Sequence, residues 1–154
     1  MTISFDGKVC VVTGAGNGLG RCHALALAER GAKVVVNDLG GARDGTGASS
    51  KAADTVVDEI IKNGGEAFSH GANVTNYEEV VDMIKQTMKR WGRIDVLINN
   101  AGILRDKSFS KMELSDFKLV LDVHLMGSVN CTKAVWDIMN CLLYTSPSPR
   151  DFTE

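Results

Sequence analysis

Four short apolar runs in this chain alternate with segments of helical periodicity, and that alternation excludes most folds at once. The runs are Lys8 to Thr13, Lys33 to Asp38, Glu66 to His70 and Asp95 to Asn99. The first two are rich in valine, as strands buried on both faces should be. Successive strands joined through a helix run parallel, because the crossover returns the chain to the end it left. The expected fold class is therefore α/β, with a parallel sheet, right-handed crossovers and helices on its faces.

The helices are placed by their apolar faces and their stops. Leu19, His23, Ala26 and Leu27 mark a first helix over 19–30, ended by Gly31. Ala52, Val56 and Ile60 mark a second, ended by Gly64 and Gly65. Thr75 and Glu78 form a capping box for a third, whose buried face is expected to carry Val80, Val81, Ile84, Met88 and Trp91 before Gly92 stops it. The stretch Ser115 to Met139 reads as one long helix. It is apolar in several directions, with Phe117, Leu121, Leu125 and Val129 on one side and Val120, Val123, Val135, Trp136 and Met139 on others. A helix covering a sheet needs only one stripe, so this one is either deeply buried or part of a subunit interface.

At 154 residues the chain has room for one domain. Its 17 basic and 19 acidic side chains give a net charge of −2, without the basic excess of a nucleic-acid binder. The four cysteines form no C-x-x-C pair and the three histidines lack metal-ligand spacing, so a reduced, intracellular, metal-free protein is expected. No apolar run approaches the roughly 18 residues of a membrane span. Met1 to Asp6 has none of the layout of a signal peptide.

Gly14-Ala-Gly-Asn-Gly-Leu-Gly20 lies between the first strand and the first helix. Backbone N–H groups there, with the positive end of the helix, can hold a pyrophosphate, and glycine lets phosphate and strand approach the backbone. The pattern G-x-G-x-x-G fails at Leu19, whereas Thr13, Gly14, Gly18 and Gly20 fit T-G-x-x-x-G-x-G. Asp38 ends the second strand 24 positions beyond Gly14. An acidic side chain at about that distance accepts hydrogen bonds from an adenosine ribose and would repel the 2′-phosphate of NADP, so NAD is the expected cofactor. No Gly-Lys-Ser/Thr follows the glycines, which excludes a P-loop. A glycine turn can equally be a plain strand-to-helix connection, and Asp38 a loop cap. An S-adenosylmethionine-dependent methyltransferase also combines such a turn with an acidic second-strand end.

Thr13 to Gly20 together with Asn99-Asn-Ala-Gly102, at the end of the fourth strand, resembles the short-chain dehydrogenase/reductase family. The methyltransferase alternative leaves that second motif unexplained. Asn37-Asp-Leu-Gly-Gly41, Ala52-Ala-Asp54, Gly92-Arg-Ile-Asp95 and Asn99 to Asp106 are similar to the (3R)-hydroxyacyl-CoA dehydrogenase domain of the peroxisomal type 2 multifunctional enzymes. The resemblance runs from Phe5 to about Met139. It implies a Rossmann-like, doubly wound sheet of which this chain holds the N-terminal part, about four strands in the order 3-2-1-4. It implies that Gly14, Gly16, Asn17, Gly18, Leu19 and Gly20 carry the pyrophosphate, Leu19 facing the cofactor, and that Asp38 takes the ribose hydroxyls. Asn73 and Val74 would flank the adenine, and Asn100, Ala101 and Gly102 the nicotinamide-side ribose, with Asn99 stabilising the sheet. The family's helix asparagine of the proton relay falls at His124, a replacement shared with the type 2 enzymes, which reads as a core or relay histidine. The reaction implied is hydride transfer to NAD from a (3R)-hydroxyacyl-CoA in fatty-acid β-oxidation. A homodimer through the 115–139 helix and a peroxisomal address follow from the same likeness. The competing readings are another short-chain reductase, such as a 3-oxoacyl-carrier-protein reductase, and a non-catalytic nucleotide-binding fragment. Asp38 and the long Leu39 to Ser50 loop speak against such a reductase, since those enzymes often favour NADP.

The family's serine and its Tyr-x-x-x-Lys pair have no counterpart here. Tyr144 is followed four positions on by Ser148, and no lysine follows Lys133. The chain alone is therefore expected to be catalytically incomplete and marginally stable. From Cys141 the sequence departs from the family. Every glycine precedes residue 128, whereas both prolines, Pro147 and Pro149, lie in Cys141 to Asp151, which resembles a translated sequencing adapter. The expected organisation is a cofactor-binding part over 1–139 and a foreign or disordered tail over 140–154. No Ser-Lys-Leu peroxisomal ending is present at Phe152 to Glu154.

Overall fold

The computed structural model describes residues 3–42, 44–47 and 51–143. Tyr144, Ser146, Ser148 and both prolines lie outside the described residues. Strands β1 (Val9–Thr13), β2 (Lys33–Asn37), β3 (Glu66–His70) and β4 (Val96–Ile98) form one parallel sheet in the order β3-β2-β1-β4. Helices α1 (Gly18–Glu29), α2 (Lys51–Lys62) and α3 (Tyr77–Trp91) follow the first three strands. The expected class and strand order are those observed.

The valine runs are continuous because both faces of the sheet are covered. Cys10, Val12, Val34 and Val36 point to α1 and α2, where Ala24, Leu27, Ala53, Val56 and Ile60 close the first core. Val9, Val11 and Val35 point the other way, onto Val80, Met83, Ile84, Ile94, Cys131 and Val135. Each such valine is stabilising by about 1.5–3 kcal/mol relative to an exposed one. Burial also pushes the thiols of Cys10 and Cys131 up to about 11, the negative charge of Asp95 adding to the effect at Cys10.

Helix α1 presents a different face from the one its periodicity indicated. Gly20, Ala24 and Leu27 are buried, while Leu19 and His23 are exposed. The stripe is one position out of phase because glycine and alanine, not the larger side chains, allow the helix to lie close to β1. Helix α3 starts one residue later than the capping box placed it. Its cap is Asn76, whose side chain accepts from the Glu78 and Glu79 N–H groups and donates to Glu79 at 2.8 Å. Met83 and Thr87 join its buried face, while Val81, Met88 and Trp91 are half-buried.

The single long helix is in fact three segments, α4 (Leu114–Leu121), one π-helical stretch (Asp122–Met126) and α5 (Gly127–Leu143). One side of it enters the core through the buried Cys131 and Val135, with Val123, Ala134, Ile138 and Met139 packed half-buried beside them. Phe117, Leu121, Leu125, Val129 and Trp136 are exposed, so deep burial within the chain is ruled out for that face. Strand β4 is shorter than expected because its flanking residues serve other ends. Asp95 accepts the Val9 N–H at 2.9 Å and a fork from Arg93 at 2.9 and 2.5 Å, and Asn99 donates to Thr132 at 3.2 Å. Burial, the largest single influence on Asp95, raises its pKa, but the hydrogen bonds from Arg93 and Val9 and the charges of Arg93 and Lys8 prevail and hold it below the usual carboxylate range.

Candidate functional site

In an open parallel sheet the loops at the carboxyl ends of the strands diverge where the strand order reverses, and a crevice opens there. Here the reversal lies between β1 and β4. The residues following β1, β2, β3 and β4 together line a cleft of about 650 Å³. A wider cleft of about 790 Å³ at the opposite end, beside Asp6, Arg30, Glu59 and Glu66, carries none of the candidate residues.

The glycine turn is tied to β4 by paired hydrogen bonds. Thr13 Oγ1 accepts the N–H groups of Asn100 and Ala101, both at 3.0 Å. Asn100 Nδ2 donates to the carbonyls of Thr13 and Gly14, again at 3.0 Å each. Its side-chain amide is thus committed to the turn, although Asn100 also lines the cleft. Gly14 sits at φ +62°, and a Cβ there would lie 2.8 Å from the Ala101 Cα. A Cβ on Gly20 would lie 2.2 Å from the Gly14 oxygen. Those two glycines let the turn fold back against β4 and α1 leave directly beneath it.

Helix α1 opens on the cleft. Its cap residue Asn17 is extended, and its side chain makes no hydrogen bond to the first-turn N–H groups. The positive end of the helix is therefore left to whatever enters, an arrangement that suits an anion. Gly18, at φ +55°, faces open space.

Asp38 lies across from this helix end. Its Oδ2 accepts the Gly16 N–H at 2.8 Å and its Oδ1 the Gly40 N–H at 2.6 Å. A Cβ on Gly16 would reach Asp38 Oδ2 at 2.8 Å, so the close approach requires glycine. Below it, the buried Asn37 donates to the carbonyls of His70 and Ala72 at 3.0 and 2.9 Å and fixes the floor of the cleft. Asn73 folds its Oδ1 back onto the N–H and hydroxyl of Thr75, and Asn130 donates to the Val74 carbonyl at 2.9 Å.

Of the candidate residues, Gly14, Asn17, Gly18, Asp38, Asn73, Val74, Asn100, Ala101 and Gly102 line the cleft together. Gly16, Leu19 and Gly20 do not. Gly16 and Gly20 act from behind it, and Leu19 is 72% exposed. Sequence reasoning missed Asn37 and Asn130, for which the signal was an amide in an otherwise apolar strand or helix. It also missed Leu39, Ile103, Leu119 and Val123, which give the cleft an apolar wall. His124 is exposed rather than a core histidine. Its Nε2 lies 3.0 Å from the Ile103 oxygen and 3.1 Å from the Ile103 nitrogen, and a Cβ on Gly102 would sit 2.8 Å from its ring. It steadies the turn after β4. Among the described residues no cluster suited to a metal occurs, and no helix is long and apolar enough to cross a membrane.

The short chain dehydrogenase family profile matches residues 8–142. A peroxisomal multifunctional enzyme type 2 from Drosophila melanogaster is 56% identical over 89% of this chain, which spans only 22% of that relative. A 3-oxoacyl-[acyl-carrier-protein] reductase from Synechocystis is 51% identical over 86% of the chain, which spans half of it. Among solved structures, a 7α-hydroxysteroid dehydrogenase complexed with NADH and 7-oxo glycochenodeoxycholic acid superposes with a TM-score of 0.80. It is 32% identical, over 90% of this chain and 51% of its own.

Proposed function

Because the chain belongs to the short chain dehydrogenase family, we propose that it is the NAD-binding part of an oxidoreductase acting on (3R)-hydroxyacyl-CoA. The observation that carries the cofactor reading is the pairing of an uncapped helix end with the Asp38 carboxylate across one cleft. When bound there, the dinucleotide would supply the hydride acceptor. This chain's own residues bind and orient. The N–H groups at the start of α1 would meet the pyrophosphate, and Asp38, already taking two N–H bonds, would exchange one for a ribose hydroxyl. Asn73 and Val74 would border the adenine, and Ala101 and Gly102 the nicotinamide-side ribose. Gly16, Gly20 and Asn100 would shape the turn from behind. The fit is favourable because the cradle exists only where a side chain is missing.

The preference for NAD over NADP is argued from charge. A carboxylate beside the ribose would face the 2′-phosphate, and like charges in a half-buried site repel. The substrate class and a peroxisomal address are supported by the likeness to the multifunctional enzymes, and a homodimer by the exposed apolar face of α4 and α5. The sequence holds no Tyr-x-x-x-Lys pair, the family's proton acceptor, and no turnover is expected of this chain alone. The cofactor-binding part is placed at about residues 1–139, and the family profile runs on to residue 142.

Thermal unfolding with added nucleotide tests the reading. A ligand of the folded state alone, at 100 times its dissociation constant, adds about 2.7 kcal/mol to stability. NAD should raise the midpoint by several degrees and NADP should not, whereas Asp38→Ser should narrow the difference. No shift at millimolar NAD, or equal shifts with both nucleotides, would sink it.

A further inference from the structure

Two walls of the cleft come from segments distant in sequence. The loop after β2 contributes Leu39, Gly41, Ala42 and Gly45, while the segment after β4 contributes Ile103, backed by Leu119 of α4. Arg105 joins them. Its Nε donates to the Asp44 carbonyl at 2.6 Å, and its Nη1 donates to Asp116 Oδ1 at 3.0 Å. Beside this link Gly45 rests on Ile103, at φ +84° and with a Cβ position 3.2 Å from Ile103 Cγ2.

The loop arrives at Arg105 as a preformed turn. The Ala42 N–H donates to the Thr46 carbonyl at 2.8 Å, the Gly45 N–H to the Ala42 carbonyl at 2.9 Å, and Asp44 Oδ1 takes the Thr46 N–H and hydroxyl. Arg105 ties that turn to α4. Asp116, the anchor, is a charged side chain only 9% exposed. A buried carboxylate without a partner would be costly, but Lys107 Nζ donates to its other oxygen at 3.1 Å. Lys107 neutralises Asp116, whereas Arg105 also reaches the loop, a division that a guanidinium with diverging donors permits and an ammonium does not.

We infer that Arg105 is a positioning residue of the dinucleotide site, clamping the loop after β2 to α4 so that the cleft keeps the shape that binds. The inference rests on the dinucleotide reading above. A site that holds its binding shape for only a fraction of the time loses affinity by that fraction.

Calorimetric titration of the chain with NAD, beside amide exchange in Arg105→Lys and Gly45→Ala, tests it. Lysine keeps the charge and one contact, and alanine at φ +84° undoes the docking from the other side. Each variant should weaken NAD binding about tenfold, the scale of one net charge-assisted hydrogen bond. Without NAD, exchange at Gly45 and Thr46 should quicken. Saturating NAD should slow it again, because a ligand that binds the docked loop better must favour docking. A residue that merely supported the fold would quicken exchange through β1 and β2 as well. Unchanged affinity in either variant, or exchange rising uniformly through the sheet, overturns the clamp and leaves the dinucleotide reading standing. A wild-type chain that binds no NAD overturns both.

Discussion

Replacing Gly20 by alanine should destabilise the domain far more than the same change at Gly18, although alanine is the better helix former at position 20. At Gly20 the new Cβ would lie 2.2 Å from the Gly14 oxygen and 2.5 Å from Asn100 Nδ2, and the backbone oxygen cannot swing aside. Alanine's helix preference returns about 1 kcal/mol. Against that stand overpacking of about 1–3 kcal/mol and loss of the Asn100 bond to Gly14, with its companion to Thr13, at about 1 kcal/mol each. The net cost is about 3 kcal/mol. At Gly18 nothing lies within 4 Å of the Cβ position, and only the left-handed backbone at φ +55° resists, for about 1 kcal/mol. The difference of about 2 kcal/mol, with a urea slope near 2 kcal/mol per molar, separates the two unfolding midpoints by about 1 M. Urea titration followed by circular dichroism reads it directly. Midpoints closer than about 0.3 M, or in the reverse order, would refute the claim that Gly20 is dictated by close approach rather than by helix geometry.

The Asp95 fork should give the domain an acid-sensitive component. Its folded-state pKa is depressed, so its stabilisation is complete above the unfolded value near 3.9 and is lost as pH falls through the folded value. Asp95→Asn should cost about 1–3 kcal/mol at neutral pH, and the gap to wild type should close below about pH 4; a gap independent of pH would exclude the ion-paired reading. Thiol labelling should divide the cysteines in two. Cys22 and Cys141 are exposed and should react quickly at pH 7.5, whereas Cys10 and Cys131, at 0% exposure with pKa values near 11, should react only on unfolding. Fast labelling of more than two thiols in the folded chain would show that the two cores are open.

The strands and their order were legible because each run carries its own evidence. Val9 to Thr13 and Lys33 to Asn37 are valine-rich and stop at glycine or aspartate, and a strand buried on both faces needs little else. The cofactor turn was legible for a similar reason, since Gly14 and Gly18 stand where the backbone turns left-handed. Helix faces were less so. Leu19 looked like a core residue by size, yet the contact surface of α1 is made by Gly20 and Ala24, because a helix packed this close to a strand selects small side chains. The Asn76 cap was missed for want of one position. Asn and Thr are both good caps, and only the hydrogen bonds from Glu78 and Glu79 decide between them.

What the sequence by itself determined is what depends on neighbours along the chain: strand and helix periods, the glycine turn between β1 and α1 and the carboxylate at the end of β2. What only the tertiary structure decided depends on groups brought together from afar. Asn100 faces Thr13 across 87 positions, Arg105 reaches Asp44 across 61, and Asn130 reaches Val74 across 56. A hydrogen bond needs its partner within about 3 Å in a particular direction, and no residue's own identity or spacing encodes where a partner from another strand will stand. The cleft's location therefore follows from the sequence pattern, but the clamp and braces that give it shape come from the packing of the folded sheet.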